Sequence, residues 1–304
     1  MRIAVVGAGA LGLYYGAILQ KSGKDVYFLL RSEYEAICSQ GITVNSVDGD
    51  FHLPKVKGFR TASEIGTVDL VLVGLKTFAN HLVAELISPL VGDQTQILTL
   101  QNGLGNEENL AVHFGEDKIL GGVAFLCSNR LKPGIVQHLG EGRILLGEYV
   151  RGSNNRTDLI AAIFHGAGID CRIVTDLQYA RWEKLVWNIP FNGLCALMLR
   201  PVESLLLFEP TRNLILDIMG EVINAANAQP LEKTVPLSLA EKMMASSRKL
   251  GHYKPSMMID RLEARSLELD AIFGVPLRRA HEKGVLMPRV QQLFALLQLA
   301  EKDQ

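Results

Sequence analysis

Cysteine is scarce in this chain. Its four cysteines, Cys38, Cys127, Cys171 and Cys195, form no C-x-x-C and no paired spacing. That argues against a disulfide scaffold, leaves no metal site legible, and points to a reduced, cytoplasmic protein. Surplus charge is missing as well: 31 Lys and Arg stand against 32 Asp and Glu, a net charge of −1. Such a balance sets up no field to gather nucleic acid, and without a polybasic run nothing draws the chain to a membrane surface. A long apolar run is the third absence. Residues 3–19 carry no charge, but Gly7, Gly9, Gly12 and Gly16 interrupt them, and the stretch falls short of the roughly 20 residues of a membrane span. It also lacks the unbroken apolar centre and small-residue cleavage site of a signal peptide. There is no internal repeat and no low-complexity tract, and the sequon Asn155-Arg156-Thr157 has no secretory context.

What is present is ordinary globular material. The 304 residues are 48% hydrophobic and 21% charged, enough for about two domains with cores of their own. The most informative stretch comes first. Ile3-Ala4-Val5-Val6 reads as a short buried strand, Gly7-Ala8-Gly9-Ala10-Leu11-Gly12 follows at once, and Leu13 to Leu19 continues as an apolar helix. Strand, glycine turn and helix form the setting in which G-x-G-x-x-G denotes a dinucleotide site. The first glycine permits the tight turn, the second lets a pyrophosphate approach bare backbone, and the third lets helix and strand pack closely, with the helix N-terminus facing the phosphates. Asp25 to Leu30 is the second strand, and it ends in Arg31, 19 residues beyond Gly12. An NAD site places an acidic side chain near this point to bond the ribose 2′-hydroxyl. An arginine cannot accept that bond, but its charge and bidentate geometry suit a 2′-phosphate. NADP(H) is therefore the expected cofactor, with a plain surface arginine as the alternative.

Residues 41–60, with Asp48-Gly49, read as a small antiparallel excursion. Asp69 to Val73 and Ile97 to Leu100 are further buried strands, ending in Gly74-Leu75-Lys76-Thr77 and Gln101-Asn102-Gly103-Leu104-Gly105. In an open parallel sheet, ligands lie beyond the carboxyl ends of the strands, which is where Lys76 and Asn102 stand. Each also has an ordinary reading, as a solvated lysine and a turn asparagine. A strand over 119–125, a hairpin over 130–150 with strand-like runs at 135–139 and 143–146, a helix over 156–168 and a short strand from Cys171 complete this half. The expected class is α/β: a Rossmann-type parallel-sheet domain, residues 1–174, followed by an all-helical domain, residues 175–304.

From Asp176 the strand signals stop and helical periodicity takes over. After Lys184 the first helix is almost wholly apolar, yet Lys184, Asn188 and Asn192 recur at i, i+4 and i+8, one polar stripe on a buried helix. Burying those groups without partners would cost several kcal/mol (~2–7 each). Either they meet polar groups inside the protein, or they line a polar site where asparagines orient a substrate and the lysine meets a developing oxyanion. Pro190 is expected to bend this helix without destroying the stripe. Further helices are expected over 211–228, 237–249, 276–283 and 288–301. Ser256 reads as a helix cap or a carboxylate ligand. Glu268 is placed on a helix with Arg265 three residues before it, a surface salt bridge being its ordinary explanation.

Taken in order, these motifs resemble the ketopantoate reductase (2-dehydropantoate 2-reductase) family over essentially the whole chain. The family's glycine signature is similar to Gly7–Gly12, its phosphate-selecting arginine to Arg31, its strand-end lysine to Lys76 and its Asn-Gly-x-Gly turn to Asn102–Gly105. Its R-W-x-K-L-x-x-N-x-x-x-N helix is similar to Arg181–Asn192, its serine-methionine pair with an acidic residue beyond to Ser256-Met257 and Asp260, and its later glutamate to Glu268. The resemblance implies NADPH-dependent reduction of a 2-keto acid, with ketopantoate as substrate. It implies Lys184 as proton donor and Glu268 as the second residue of the catalytic region. Asn102, Asn188, Asn192 and Ser256 would hold the substrate. Gly7, Ala8, Gly9, Ala10, Leu11, Gly12, Arg31, Lys76, Asn102, Cys127 and Glu268 would hold the cofactor. A small 2-keto acid is then the only partner required, and the apolar surface of the last helices is compatible with core and with a homodimer interface alike.

The sequence departs from the family pattern in three places. His252-Tyr253-Lys254-Pro255 replaces an asparagine-rich stretch, Phe273-Gly274 stands for Asn-Gly, and Val202 occupies a further asparagine position. These are expected to touch substrate rather than cofactor, so a different, bulkier 2-keto acid is one alternative. A 3-hydroxyacid dehydrogenase, which also carries a lysine on its domain-joining helix, is a second. A noncatalytic NADPH sensor is a third.

Overall fold

Apolar runs of four or five residues, bounded by glycines and turn residues, become the strands of a single sheet. The computed structural model describes residues 1–152 and 154–302. They fall into two units, Met1–Gln101 with Asn106–Leu177 and Asn102–Gly105 with Gln178 onward.

The first unit contains β1 (Arg2–Val6), β2 (Asp25–Leu29), β3 (Ile42–Ser46), β4 (Phe51–Leu53), β5 (Lys57–Phe59), β6 (Leu70–Val73), β7 (Gln96–Thr99), β8 (Ile119–Lys132), β9 (Ile135–Glu148) and β10 (Cys171–Ile173). Six of them run parallel in the order β5-β2-β1-β6-β7-β8. This is the doubly wound order, in which the chain reverses direction across the sheet between β1 and β6. The helices are α1 (Ala10–Lys21), α2 (Tyr34–Gln40), α3 (Ala62–Ile65), α4 (Val83–Ile87), α5 (Asn106–Phe114) and α6 (Asn155–Gly166). Alternation along β1 divides the interior between two faces. Ile3 and Val5 join Leu13 of α1 and Phe164 of α6 on one side. Ala4 and Val6 join Ile65, Val83 and Leu110 on the other.

The expected hairpin at Asp48-Gly49 is present as the antiparallel pair β3–β4. The rest of that excursion differs: β5 extends the parallel sheet beside β2, and β3 runs parallel to β9. The two strand-like runs at 135–139 and 143–146 belong to one strand, β9. Its hairpin partner is β8, joined through Lys132-Pro133-Gly134. The glycines between the runs, Gly140 and Gly142, have positive φ and carry the strand through register shifts instead of a turn.

In the second unit the helices are α7 (Leu177–Met198), α8 (Val202–Leu207), α9 (Glu209–Asn227), α10 (Ser238–Ser247), α11 (Ser256–Leu262), α12 (Val275–Glu282) and α13 (Pro288–Lys302). All α7 residues from Gln178 on belong to this unit. The axis of its core is α7, whose Trp182, Val186, Ile189, Phe191, Cys195 and Ala196 are all fully buried. Pro190 lies inside the unbroken helix. A proline there costs about 3 kcal/mol; one or two fully buried large side chains, at about 1.5–3 kcal/mol each, offset it. The residues around Glu268 depart from expectation. No helix carries Arg265 and Glu268: α11 stops at Leu262, and the chain re-enters helical geometry through a π turn, Asp270–Gly274. Arg265 folds back onto Asp260, with its Nε 3.0 Å from Oδ1.

Candidate active site

The turn after β1 is shaped by what its glycines omit. Gly7 has φ +111°, and a Cβ there would sit 2.5 Å from the Gly74 carbonyl carbon, so the chain leaving β1 passes directly against the chain leaving β6. A Cβ on Gly12 would lie 2.0 Å from the Gly7 carbonyl oxygen, which is the close approach that lets α1 start under the strand end. Gly9, the N-cap of α1, is different: a Cβ there would meet nothing within 4 Å. The bare backbone at Gly9 thus faces open space ahead of a 12-residue helix whose first N–H groups have no intrahelical partner. A pyrophosphate fits such a cradle. Ala8, Ala10 and Leu11 complete the turn and are half-buried.

Arg31 is exposed just past β2, and Lys76 is half-buried two residues past Gly74. A buried amide relay sets the backbone ahead of Lys76. Gln101 Nε2 donates to the Leu75 carbonyl at 3.0 Å and to Asn80 Oδ1 at 2.7 Å. Asn80 in turn donates to Asn106 Oδ1 at 2.9 Å, and Thr99 Oγ1 donates to Gln101 Oε1 at 3.0 Å. Cys127 is half-buried on β8, at one of the register shifts against β9.

In the second unit the polar stripe of α7 has found partners. Lys184 Nζ donates to Asn102 Oδ1 at 2.6 Å, a short charge-assisted bond. Asn192 Oδ1 accepts from the Met257 amide at 3.3 Å and from Ser256 Oγ at 3.5 Å. Asn188 and Asn192 are 5% and 3% exposed. The Asn-Gly-x-Gly turn is pinned to the π turn: Leu104 N–H donates to the Ala271 carbonyl at 2.9 Å. Gly103, with φ +83°, comes so near that a Cβ would lie 2.3 Å from the same oxygen. Glu268 stands at the entrance of that π turn, its carbonyl accepting from Ile272 N–H at 3.2 Å. Lys184, Asn102 and the backbone after Glu268 are therefore joined through a chain of short contacts within one unit. Segments of π geometry inside helices recur at functional sites.

Two sequence expectations are corrected here. Glu268 is 3% exposed, so a surface salt bridge does not explain it; Arg265 pairs instead with Asp260 and Glu263. Ser256 is the first residue of α11 and Pro255 is the cap, so the serine hydroxyl is turned toward Asn192 instead of capping its own helix. The departures from the family pattern are also redistributed. Val202 and Phe273 have no exposed surface and belong to the helical core, with Phe273 stacked on Phe294 at 6.2 Å. They substitute packing for polarity and present nothing for a ligand to touch. The His252-Tyr253-Lys254 stretch keeps accessible surface: His252 and Lys254 are exposed, and Tyr253 is half-buried near Trp187 at 6.4 Å.

Sequence reading missed Gln101, Asn80, Glu33 and Arg130. Gln101 precedes the Asn-Gly turn and could have been weighed with it. Glu33 pairs with Arg130 across 97 positions of sequence, and no local pattern announces such a contact.

Among the described residues no group of three or more His, Cys, Asp or Glu could hold a metal ion, and no helix is long and apolar enough to cross a membrane. Comparison with known proteins gives a consistent outcome. The family model described as ketopantoate reductase PanE/ApbA matches residues 3–151, and its C-terminal counterpart matches residues 176–301. A protein of Nostoc sp. named 2-dehydropantoate 2-reductase is 42% identical over 305 residues, covering 99% of this chain and 95% of its own. The crystal structure of 2-dehydropantoate 2-reductase from Geobacter metallireducens GS-15 matches with a TM-score of 0.98 at 58% identity, over 99% of this chain and 100% of that one. The ternary structure of D-mandelate dehydrogenase with NADH and anilino(oxo)acetate shares the fold, with a TM-score of 0.90 at 23% identity over 100% and 99% of the two chains. Sequence match across both halves and agreement of the backbone thus converge, and the chain belongs to the ketopantoate reductase PanE/ApbA family.

Proposed function

We propose that this chain reduces 2-dehydropantoate (ketopantoate) to pantoate with NADPH, residues 1–174 serving as the NADP-binding domain and 175–304 as the substrate and catalytic domain. The observation that carries the reading is the Lys184 ammonium, held 2.6 Å from Asn102 Oδ1 on the helix that also bears Asn188 and Asn192. Family membership and the name of the Nostoc relative support the reaction and its substrate.

When bound, a reduced nicotinamide supplies the hydride. The protein supplies the rest. The glycine turn offers its amides to the pyrophosphate, and Arg31 and Lys76 supply positive charge at the carboxyl ends of β2 and β6. The backbone near Cys127 also meets the cofactor. As the ketone carbon accepts the hydride, its oxygen gains the electron pair of the broken π bond. Lys184 stabilises that charge and gives up a proton to it, leaving the hydroxyl of the product. Asn102 fixes the ammonium for this transfer. Asn188, Asn192 and Ser256 hold the hydroxyl and carboxylate ends of the substrate, and Glu268 orders the nicotinamide end.

The test is NADPH oxidation by the purified chain with ketopantoate, beside other 2-keto acids and with NADH in parallel. Ketopantoate should be the preferred acid and NADPH the preferred cofactor. Turnover of another 2-keto acid alone would leave the mechanism and move the substrate, and no turnover with any of them would overturn the reading.

A further inference from the structure

Two charged residues that this reduction does not use stand beside the glycine turn given to the pyrophosphate of the cofactor. The Arg130 guanidinium pairs with the Glu33 carboxylate. Its Nη1 also donates to the Ala8 carbonyl at 3.4 Å, inside the glycine turn. Glu33 comes two residues after Arg31, is 4% exposed, and keeps its Oε2 buried with no hydrogen-bond partner among the described residues. An ionised carboxylate so enclosed requires a cation close by. Arg130 is the cation that pairs with it. The strand that carries Arg130 is irregular around it, β8 slipping register against β9 between Cys127 and Ser128 and again between Arg130 and Lys132. Irregularities of this kind re-aim side chains.

An acidic group after the second strand of a dinucleotide fold accepts from a ribose 2′-hydroxyl and disfavours a phosphate in its place. Glu33 is such a group, next but one to the arginine that suits the phosphate. Unmasked, it would oppose Arg31. We infer that Arg130 determines cofactor specificity as a positioning residue: by holding and neutralising the Glu33 carboxylate, it leaves Arg31 free to select the 2′-phosphate of NADP(H) over the 2′-hydroxyl of NAD(H). The inference rests on the NADPH reading above.

Binding of NADPH and NADH to the whole chain, followed by calorimetry, tests it, with 2′,5′-ADP and 5′-AMP as fragments that isolate the 2′-phosphate. In Arg130→Met, NADPH and 2′,5′-ADP should weaken by about tenfold, the order of one unmasked like-charge repulsion near the protein surface. NADH and 5′-AMP should hold or tighten. Adding Glu33→Gln to that variant should restore the wild-type ratio, because the carboxylate that Arg130 masked is then gone. An equal loss for both cofactors, an unchanged ratio, or a double variant that stays at the single variant's ratio would each overturn the inference. Should Arg130→Met fail to fold, Arg130→Lys should keep the ratio and Glu33→Gln alone should keep or widen it. A lower preference for NADPH in either sinks the idea. The parent reading fails separately, if the unaltered chain binds NADH at least as tightly as NADPH.

Discussion

In the first unit the residues proposed to meet the ligand are mostly ones with little or no side chain, Gly7, Ala8, Gly9, Ala10 and Gly12. In the second they are a lysine, three asparagines, a serine and a glutamate. The contrast follows from what each half must recognise. A pyrophosphate is bound by peptide N–H groups, so the chain gains by stripping side chains away and letting backbone approach backbone. A small keto acid presents a ketone, a hydroxyl and a carboxylate at fixed separations, which call for donors and acceptors at the ends of side chains. Three of those polar groups, Lys184, Asn188 and Asn192, are set on α7, where the fully buried Trp182, Ile189 and Phe191 fix the rotation of the helix and leave the stripe only one direction to face.

The sharpest way to break the contrast is to remove a side chain from the second unit without touching the first. Lys184→Ala should lower kcat by about 100- to 10,000-fold, the span typical of a general acid, while the dissociation constant for NADPH stays near that of the unaltered chain. Single-turnover kinetics beside calorimetry would read both. A comparable loss of NADPH affinity would mean that the lysine serves binding.

The next test adds a side chain where the first unit omits one, and it separates two kinds of glycine. Gly12→Ala puts a methyl against the Gly7 carbonyl at 2.0 Å. It should destabilise the fold by about 1–3 kcal/mol, as overpacking does, with a visible fall in melting temperature. Gly9→Ala meets nothing within 4 Å, so melting should be unchanged while NADPH binding weakens. If Gly9→Ala leaves binding intact, the open space at Gly9 is not where the pyrophosphate lies.

The smallest effect is read at the cysteines, and it sharpens the contrast between exposed edges and sealed interiors. Burial pushes the thiols of Cys171 and Cys195 up to about 12. Both stay protonated, and so unreactive, in the native protein at mildly alkaline pH, while unfolding returns them to about 8.5. Their raised folded values favour the native state below the ordinary thiol range, and that contribution is lost as pH climbs from there toward 12. A thiol reagent at neutral pH should therefore label exposed Cys38 first and leave Cys171 and Cys195 untouched until denaturant is added. Saturating NADPH should slow labelling at Cys127, the half-buried thiol proposed to lie near the cofactor.

Much of this was legible in residue order because both halves use strong local grammar. The parallel strands are short apolar runs with a glycine turn after the first, and the α7 stripe is a plain 3.6-residue periodicity. The segment around Glu268 was misread because Leu262, Leu267, Leu269 and Ile272 keep an apolar rhythm through Glu263–Glu268, where the chain in fact leaves the helix; the π turn has no separate signature. Tertiary demand, not local preference, decided β9 as well, since one long strand with glycine-borne slips imitates two short ones. The buried Val202 and Phe273 show the opposite error. Positions expected to meet substrate had become interior, which no motif comparison reveals when the residue type alone has changed.

The four residues Asn102–Gly105 have a consequence for how such enzymes can be recombined. Leu104 is 2% exposed and sits in the core built by α7 and its neighbours, although it is encoded between β7 and α5 of the other unit. A chimaera joined near residue 176 would therefore import a foreign leucine and a foreign Asn-Gly turn into a helical interior tailored to its own. Grafts that carry the donor's 102–105 segment along with its C-terminal half should express as soluble protein more readily than grafts with a single crossover.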